Sequence, residues 1–186
     1  MQWLKTVVFL SSLCLIDSQL DKLFGYQKQG PQNPVWDNLL DVASPERDRQ
    51  NATPLFWHIH KAGGTTLHDF FSDCLNLTIA AEVGILDGHD MDKQLSLMMK
   101  DGRPYINVDT TTEEGIQHAH SLGFHNAPHL ANVVISPLII QATGYLFSRG
   151  NKAMMFALMR HPVDRAISQF YYLQGATWGK NLKLQC

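Results

Sequence analysis

Leu55-Phe-Trp-His-Ile-His-Lys-Ala-Gly-Gly-Thr-Thr-Leu67 is the stretch on which the fold turns. An apolar run of β type, Leu55 to Ile59, passes through Lys61, Gly63, Gly64, Thr65 and Thr66 into a helix-compatible stretch, Thr65 to Asp73. A strand that turns through glycines into a helix is the building unit of an open α/β sheet. The loop also has the composition of a phosphate cradle. Glycines let the backbone approach an anion, the amides at the next helix start face it, lysine adds a compact charge and threonine hydroxyls donate further bonds. A turn using glycine for geometry alone would read the same way, so the loop by itself does not establish a ligand. Lysine precedes the glycine pair, the reverse of the Gly-Lys-Ser/Thr order of ATP- and GTP-hydrolysing loops.

Further along the chain, short apolar runs alternate with longer helical patterns, the signature of a parallel sheet covered by helices. Further strands are expected over Asn76–Ala81, Tyr105–Val108, Asn132–Ile135 and Ala153–Met159, and further helices over Met91–Lys100, Thr112–Leu122, Pro137–Phe147 and Pro162–Leu173. Ala153-Met-Met-Phe-Ala-Leu-Met159 lacks alternation, which predicts a central strand buried on both faces. Asp109-Thr-Thr-Thr-Glu113 has hydroxyls and acids placed to start a helix.

A second constellation follows that apolar run: Arg160-His-Pro-Val-Asp-Arg-Ala-Ile-Ser168. Pro162 suits a first helical turn, and Ile167, Phe170, Tyr171 and Leu173 form an apolar stripe for packing onto the sheet. Arg165, Ser168 and Tyr172, three and four apart, share another face. Arg160 ends its strand, where open α/β sheets bind ligands, and an arginine fork with a serine hydroxyl suits a second phosphate. Two anion sites at the ends of neighbouring strands predict a ligand with two separated phosphate-type groups.

The 186 residues, 45% hydrophobic and 17% charged, suit one domain with a core. A net charge of -2 disfavours a nucleic-acid partner. At the N-terminus, Lys5 precedes the apolar run Thr6 to Ile16, which is closed by Asp17-Ser18-Gln19. Residues 1–19 therefore read as a secretory signal peptide, or as a short signal anchor that would be the only membrane attachment. Residues 20–52, with prolines at 31, 34 and 45, read as a linker or stem, leaving 53–186 as the domain. Two sequons, Asn51-Ala-Thr53 and Asn76-Leu-Thr78, agree with a lumenal address, where Cys74 and Cys186 have the option of pairing with each other or with a partner.

The two motifs together resemble those of the sulfotransferases that use 3′-phosphoadenosine 5′-phosphosulfate, of the Golgi carbohydrate-modifying type. His58-Ile-His-Lys-Ala-Gly-Gly-Thr-Thr66 is similar to that family's 5′-phosphosulfate loop. Phe156-Ala-Leu-Met-Arg-His-Pro-Val-Asp-Arg-Ala-Ile-Ser-Gln-Phe-Tyr-Tyr172 is similar to its 3′-phosphate strand and helix, with Arg-x-Pro-x-x-Arg-x-x-Ser intact. The resemblance implies a P-loop-like parallel sheet and a sulfotransferase acting on a carbohydrate or glycoprotein hydroxyl, with the nucleotide as co-substrate and no metal. By the same resemblance Lys61 stabilises the leaving group, Ala62, Gly63, Gly64, Thr65 and Thr66 hold the phosphosulfate, and Arg160 and Ser168 hold the 3′ phosphate.

The chain departs from the pattern in three ways. His60 stands where the family usually has proline. The His-x-His pair of relatives that sulfate uronic acids is missing from Ile139–Tyr145, so the base expected is His89, with Glu82 behind it. The segments that usually follow the 3′-phosphate helix are also missing, which implies a domain incomplete at its C-terminus. Two other functions stay open. One is a lumenal domain that keeps the fold without turnover, and the other is a nucleotide-dependent phosphoryl transferase, against which stand the lysine-first loop and the lack of a strand-end aspartate for magnesium. His118, His120, His125 and His129 lack the spacing and acidic company of a zinc site. The methionines read as core fillers.

Overall fold

In the computed structural model, the described residues are 34–41, 43, 49–85 and 88–175. The expected signal segment and Cys186 lie outside them. A six-stranded, mostly parallel sheet is flanked by helices. A helical turn, α1 (Pro34–Asp37), precedes β1 (Thr53–Trp57), and β1 leads through the glycine loop into α2 (Gly64–Asp69), which widens into a π-type turn over Phe70–Cys74. After β2 (Ile79–Ala80) come β3 (Leu97–Lys100), β4 (Arg103–Ile106), α3 (Glu113–Ser121), β5 (Val133–Ser136), α4 (Ile139–Tyr145), β6 (Ala153–Ala157) and α5 (Pro162–Gly175).

The strand order is β3-β4-β2-β5-β1-β6, with every pair parallel except β3 with β4. One face of the sheet carries Leu55, Ile106 and Val134 beneath α3 and α4, where Ile116, Ala119, Ala142 and, just after α4, Leu146 are fully buried. The other face carries Phe56, Ile79, Val133 and Ile135 beneath Leu67 and Phe71 of the α2 segment. Phe56 stacks on Phe156, with ring centroids 5.3 Å apart, and Phe71 meets both edge-on. The helix start expected at Asp109–Glu113 is present. The Thr112 hydroxyl accepts from the Gly115 amide, and the Asp109 carboxylate accepts from the Thr111 and Thr112 hydroxyls.

Four expectations are corrected. Met91–Lys100 is not a helix, because its last four residues are β3. Asp101 and Gly102, both at positive φ, make a two-residue hairpin that pairs Lys100 with Arg103, and Asp-Gly is a preferred composition for such a turn. Ala153–Ala157 is not a central strand. It pairs with β1 on one side, and on the other only a single bridge, Leu39 to Ala153, joins it among the described residues. An unbroken apolar run reports a tendency to be buried, not how many strands flank it. The region read as a linker contains packed chain: Asn38 donates to the carbonyls of Thr143 and Phe147, and Leu40 donates to Ala153. The apolar stripe of α5 does not pack on the sheet, since no residue of that helix is buried.

Candidate functional site

Because β1 and β6 are parallel neighbours, the loop after β1 and the start of α5 emerge side by side at the carboxyl edge of the sheet. A cavity of about 510 Å³ opens there, lined by Lys61, Arg160, Asp164, Ile167, Ser168, Tyr171 and Tyr172. Residues from both sequence motifs, nearly a hundred positions apart, meet in this one cavity. The Lys61 ammonium lies 4.1 Å from the centre of the Tyr172 ring, a cation–π distance. Its carbonyl accepts from Arg160 Nη1 at 3.3 Å, and the His60 carbonyl accepts from Arg165 Nε at 2.9 Å. Ser168 and Tyr172, one helical turn apart, both face the cavity, whereas Arg165 turns to the loop backbone.

Among the loop residues expected to hold an anion, only Lys61 lines the cavity. Ala62 is buried, and each glycine has a packing reason of its own. Gly63 sits at φ 111, and a side chain there would press on Leu158. Gly64 lies against the His58 imidazole, which occupies the space a Cβ would need. The glycine pair is therefore required by the turn whether or not a phosphate binds. Thr65 and Thr66 are exposed on the first turn of α2, where no side chain caps the helix. Their hydroxyls make no hydrogen bond among the described residues.

His89, expected as the base, stands elsewhere. Its Nδ1 is 2.8 Å from Asp92 Oδ2, and the same oxygen accepts from Asn107 Nδ2 at 2.7 Å. These bonds, Asn107's first, hold the Asp92 carboxyl below its usual range. Asn107 follows β4, which β2 and β5 separate from β1, a displacement of about 14 Å at ordinary strand spacing. Glu82 does not line the cavity either. The carboxylate that does is Asp164, which sequence reading passed over. Its position three residues before Ile167 and four before Ser168, on a helix already suspected of facing the ligand, was the available signal.

Under the loop, His58 stacks on Phe56 and lies 5.3 Å from the ring of His60. Burial first, then the nearby His60 and His68, push its pKa below the ordinary histidine value, so its neutral form is favoured. Among the described residues no three His, Cys, Asp or Glu side chains gather as metal ligands, and no helix is long and apolar enough to cross a membrane. Comparison with known proteins leaves this geometry to speak for itself: no family model, no curated protein and no solved structure matches the chain.

Proposed function

We propose that the chain is a sulfotransferase that binds 3′-phosphoadenosine 5′-phosphosulfate and moves its sulfonate to a hydroxyl of a carbohydrate or glycoprotein. The observation that carries this reading is the convergence of Lys61, Arg160 and Ser168 in one cavity. Two cations and a hydroxyl at the carboxyl edge of a parallel sheet suit a ligand with separated anionic groups. The flanking Tyr171, Tyr172 and Ile167 offer apolar surface for the rest of such a ligand.

In the reaction the acceptor oxygen attacks sulfur, the bond from sulfur to the bridging phosphate oxygen breaks, and its electron pair stays on the departing adenosine 3′,5′-bisphosphate. Lys61 stabilises the charge that grows on that phosphate. Arg160 and Ser168 take the 3′ phosphate. The acceptor proton goes to Asp164, the carboxylate that lines the cavity, in place of His89. No step calls on a metal. The reading also carries a P-loop-like sheet, a signal or short anchor over 1–19, and a Golgi lumenal or membrane address with no nucleic-acid partner.

The test is a calorimetric titration of adenosine 3′,5′-bisphosphate into the full chain without magnesium, followed by a transfer assay across a glycan panel. Saturable binding, weakened about ten- to a hundredfold by Lys61→Ala and by Arg160→Ala, is expected. A folded protein that binds no bisphosphate, or binds only with magnesium, overturns the reading and favours phosphoryl transfer in the second case. The separation of His89 from the cavity favours one further reading, a domain that binds the donor without turnover. Binding with no transfer to any acceptor would support it.

A further inference from the structure

The turn that presents Lys61 spans Ile59 to Ala62. It is closed by the Ala62 amide donating to the Ile59 carbonyl at 3.2 Å, and its third residue, Lys61, sits at φ 62. A positive φ at the third position is the signature of a type II turn, which glycine or asparagine adopts readily and lysine does not. Proline suits the second position best, because its ring holds φ at the value required. His60 occupies that position, so the chain lacks the internal restraint. The His60 amide makes no hydrogen bond among the described residues.

The restraint comes instead from α5 and the segment that leads into it. Arg165 Nε donates to the His60 carbonyl at 2.9 Å, and Arg160 Nη1 donates to the next carbonyl at 3.3 Å. Arg160 also lines the cavity, whereas Arg165 does not. The Arg165 backbone amide donates to His161 at the start of α5, so its side chain leaves a fixed point of the helix. We propose that Arg165 is a positioning residue. By holding the His60 carbonyl it keeps the Ile59–Ala62 turn in the conformation that delivers the Lys61 ammonium to the cavity, a restraint that proline at position 60 would supply from within the turn. What Lys61 does once delivered rests on the proposed sulfotransferase reading, but the restraint is a property of the ligand-free chain.

The test uses the full chain as wild type, Arg165→Met, Arg165→Lys, and Arg165→Met combined with His60→Pro. Two readouts are taken, the hydrogen-exchange rate of the Ala62 amide and the affinity for adenosine 3′,5′-bisphosphate. Loss of a charge-assisted bond in Arg165→Met is expected to speed Ala62 exchange and to weaken the bisphosphate, each about tenfold, with the thermal midpoint unchanged because α5 buries no residue. Arg165→Lys, which keeps a donor, should fall between the two. Adding His60→Pro should bring both readouts back to within about threefold of wild type. A merely structural arginine would not be rescued by a substitution in another element. Unchanged Ala62 exchange in Arg165→Met, or a double variant no better than the single one, overturns the proposal. If Ala62 exchange follows the expected pattern in a wild type that binds no bisphosphate, the positioning role stands and the sulfotransferase reading falls.

Discussion

Helices α3 and α5 each follow a parallel strand and each carry an apolar stripe, yet the fold uses them in opposite ways. Ile116 and Ala119 of α3 are fully buried against the sheet, and the helix is started by its own Thr112 cap. Val163, Ile167, Phe170 and Tyr171 of α5 are all more than half exposed. That helix is tied through Arg165 and Tyr172, and through Arg160 just before it, to the loop that bears Lys61. An apolar stripe thus states that a helix can be covered, not that the sheet covers it. Where α3 contributes to stability, α5 contributes the wall of a cavity.

The largest effect that would break this contrast is a core deletion. Ile116→Ala should destabilise the chain by about 2–5 kcal/mol in urea unfolding. Ile167→Ala on α5 should stay within about 0.5 kcal/mol. Equal losses would mean that α5 is as deeply engaged as α3. Next in size, Thr112→Ala should lower the unfolding free energy by about 1 kcal/mol through the lost cap, measured in the same way. A comparable loss from Ser168→Ala would assign that serine to the fold instead of to the cavity.

The smallest effects are pH-dependent and have a defined sign. Asp92, held below the usual carboxylate range by Asn107 and His89, is more acidic folded than unfolded. Its contribution is therefore complete above that range and is lost as pH falls through it. Urea midpoints between pH 5 and pH 3 should fall less steeply for Asp92→Asn than for wild type. His58, pushed down by burial, acts with the same sign at higher pH. It favours the folded chain when neutral, and that contribution fades as pH drops below about 6.5. A His58→Gln variant with the wild-type slope between pH 7 and pH 5 would show that the imidazole is not held neutral beneath the loop.

Much of the fold was legible because it is written in local chemistry. The strand-to-loop-to-helix unit at Leu55–Leu67, the cap before α3 and proline at the head of α5 each depend on residues within a turn of one another. The β3–β4 hairpin is equally local: Asp101-Gly102 between Lys100 and Arg103 is a turn signal with which a helix over Met91–Lys100 is in conflict. Of the candidate site, the lysine loop and the Arg160–Ser168 pattern were legible as two separate anion motifs. That they share a cavity was not, because nothing in the spacing between them states which strands lie side by side.

By itself, then, the sequence determined the class of the fold and the residue types of the candidate site, through backbone propensity, hydrophobic runs and the few residues able to bind an anion. Tertiary structure alone decided four things. It made β6 the neighbour of β1, exposed the apolar stripe of α5, set His89 on Asp92 away from the cavity that Lys61 lines, and turned Arg165 onto the His60 carbonyl. These are outcomes of which surfaces meet when strands distant in the chain pair. That choice minimises exposed apolar area and unpaired backbone over the whole sheet, and no single segment encodes it.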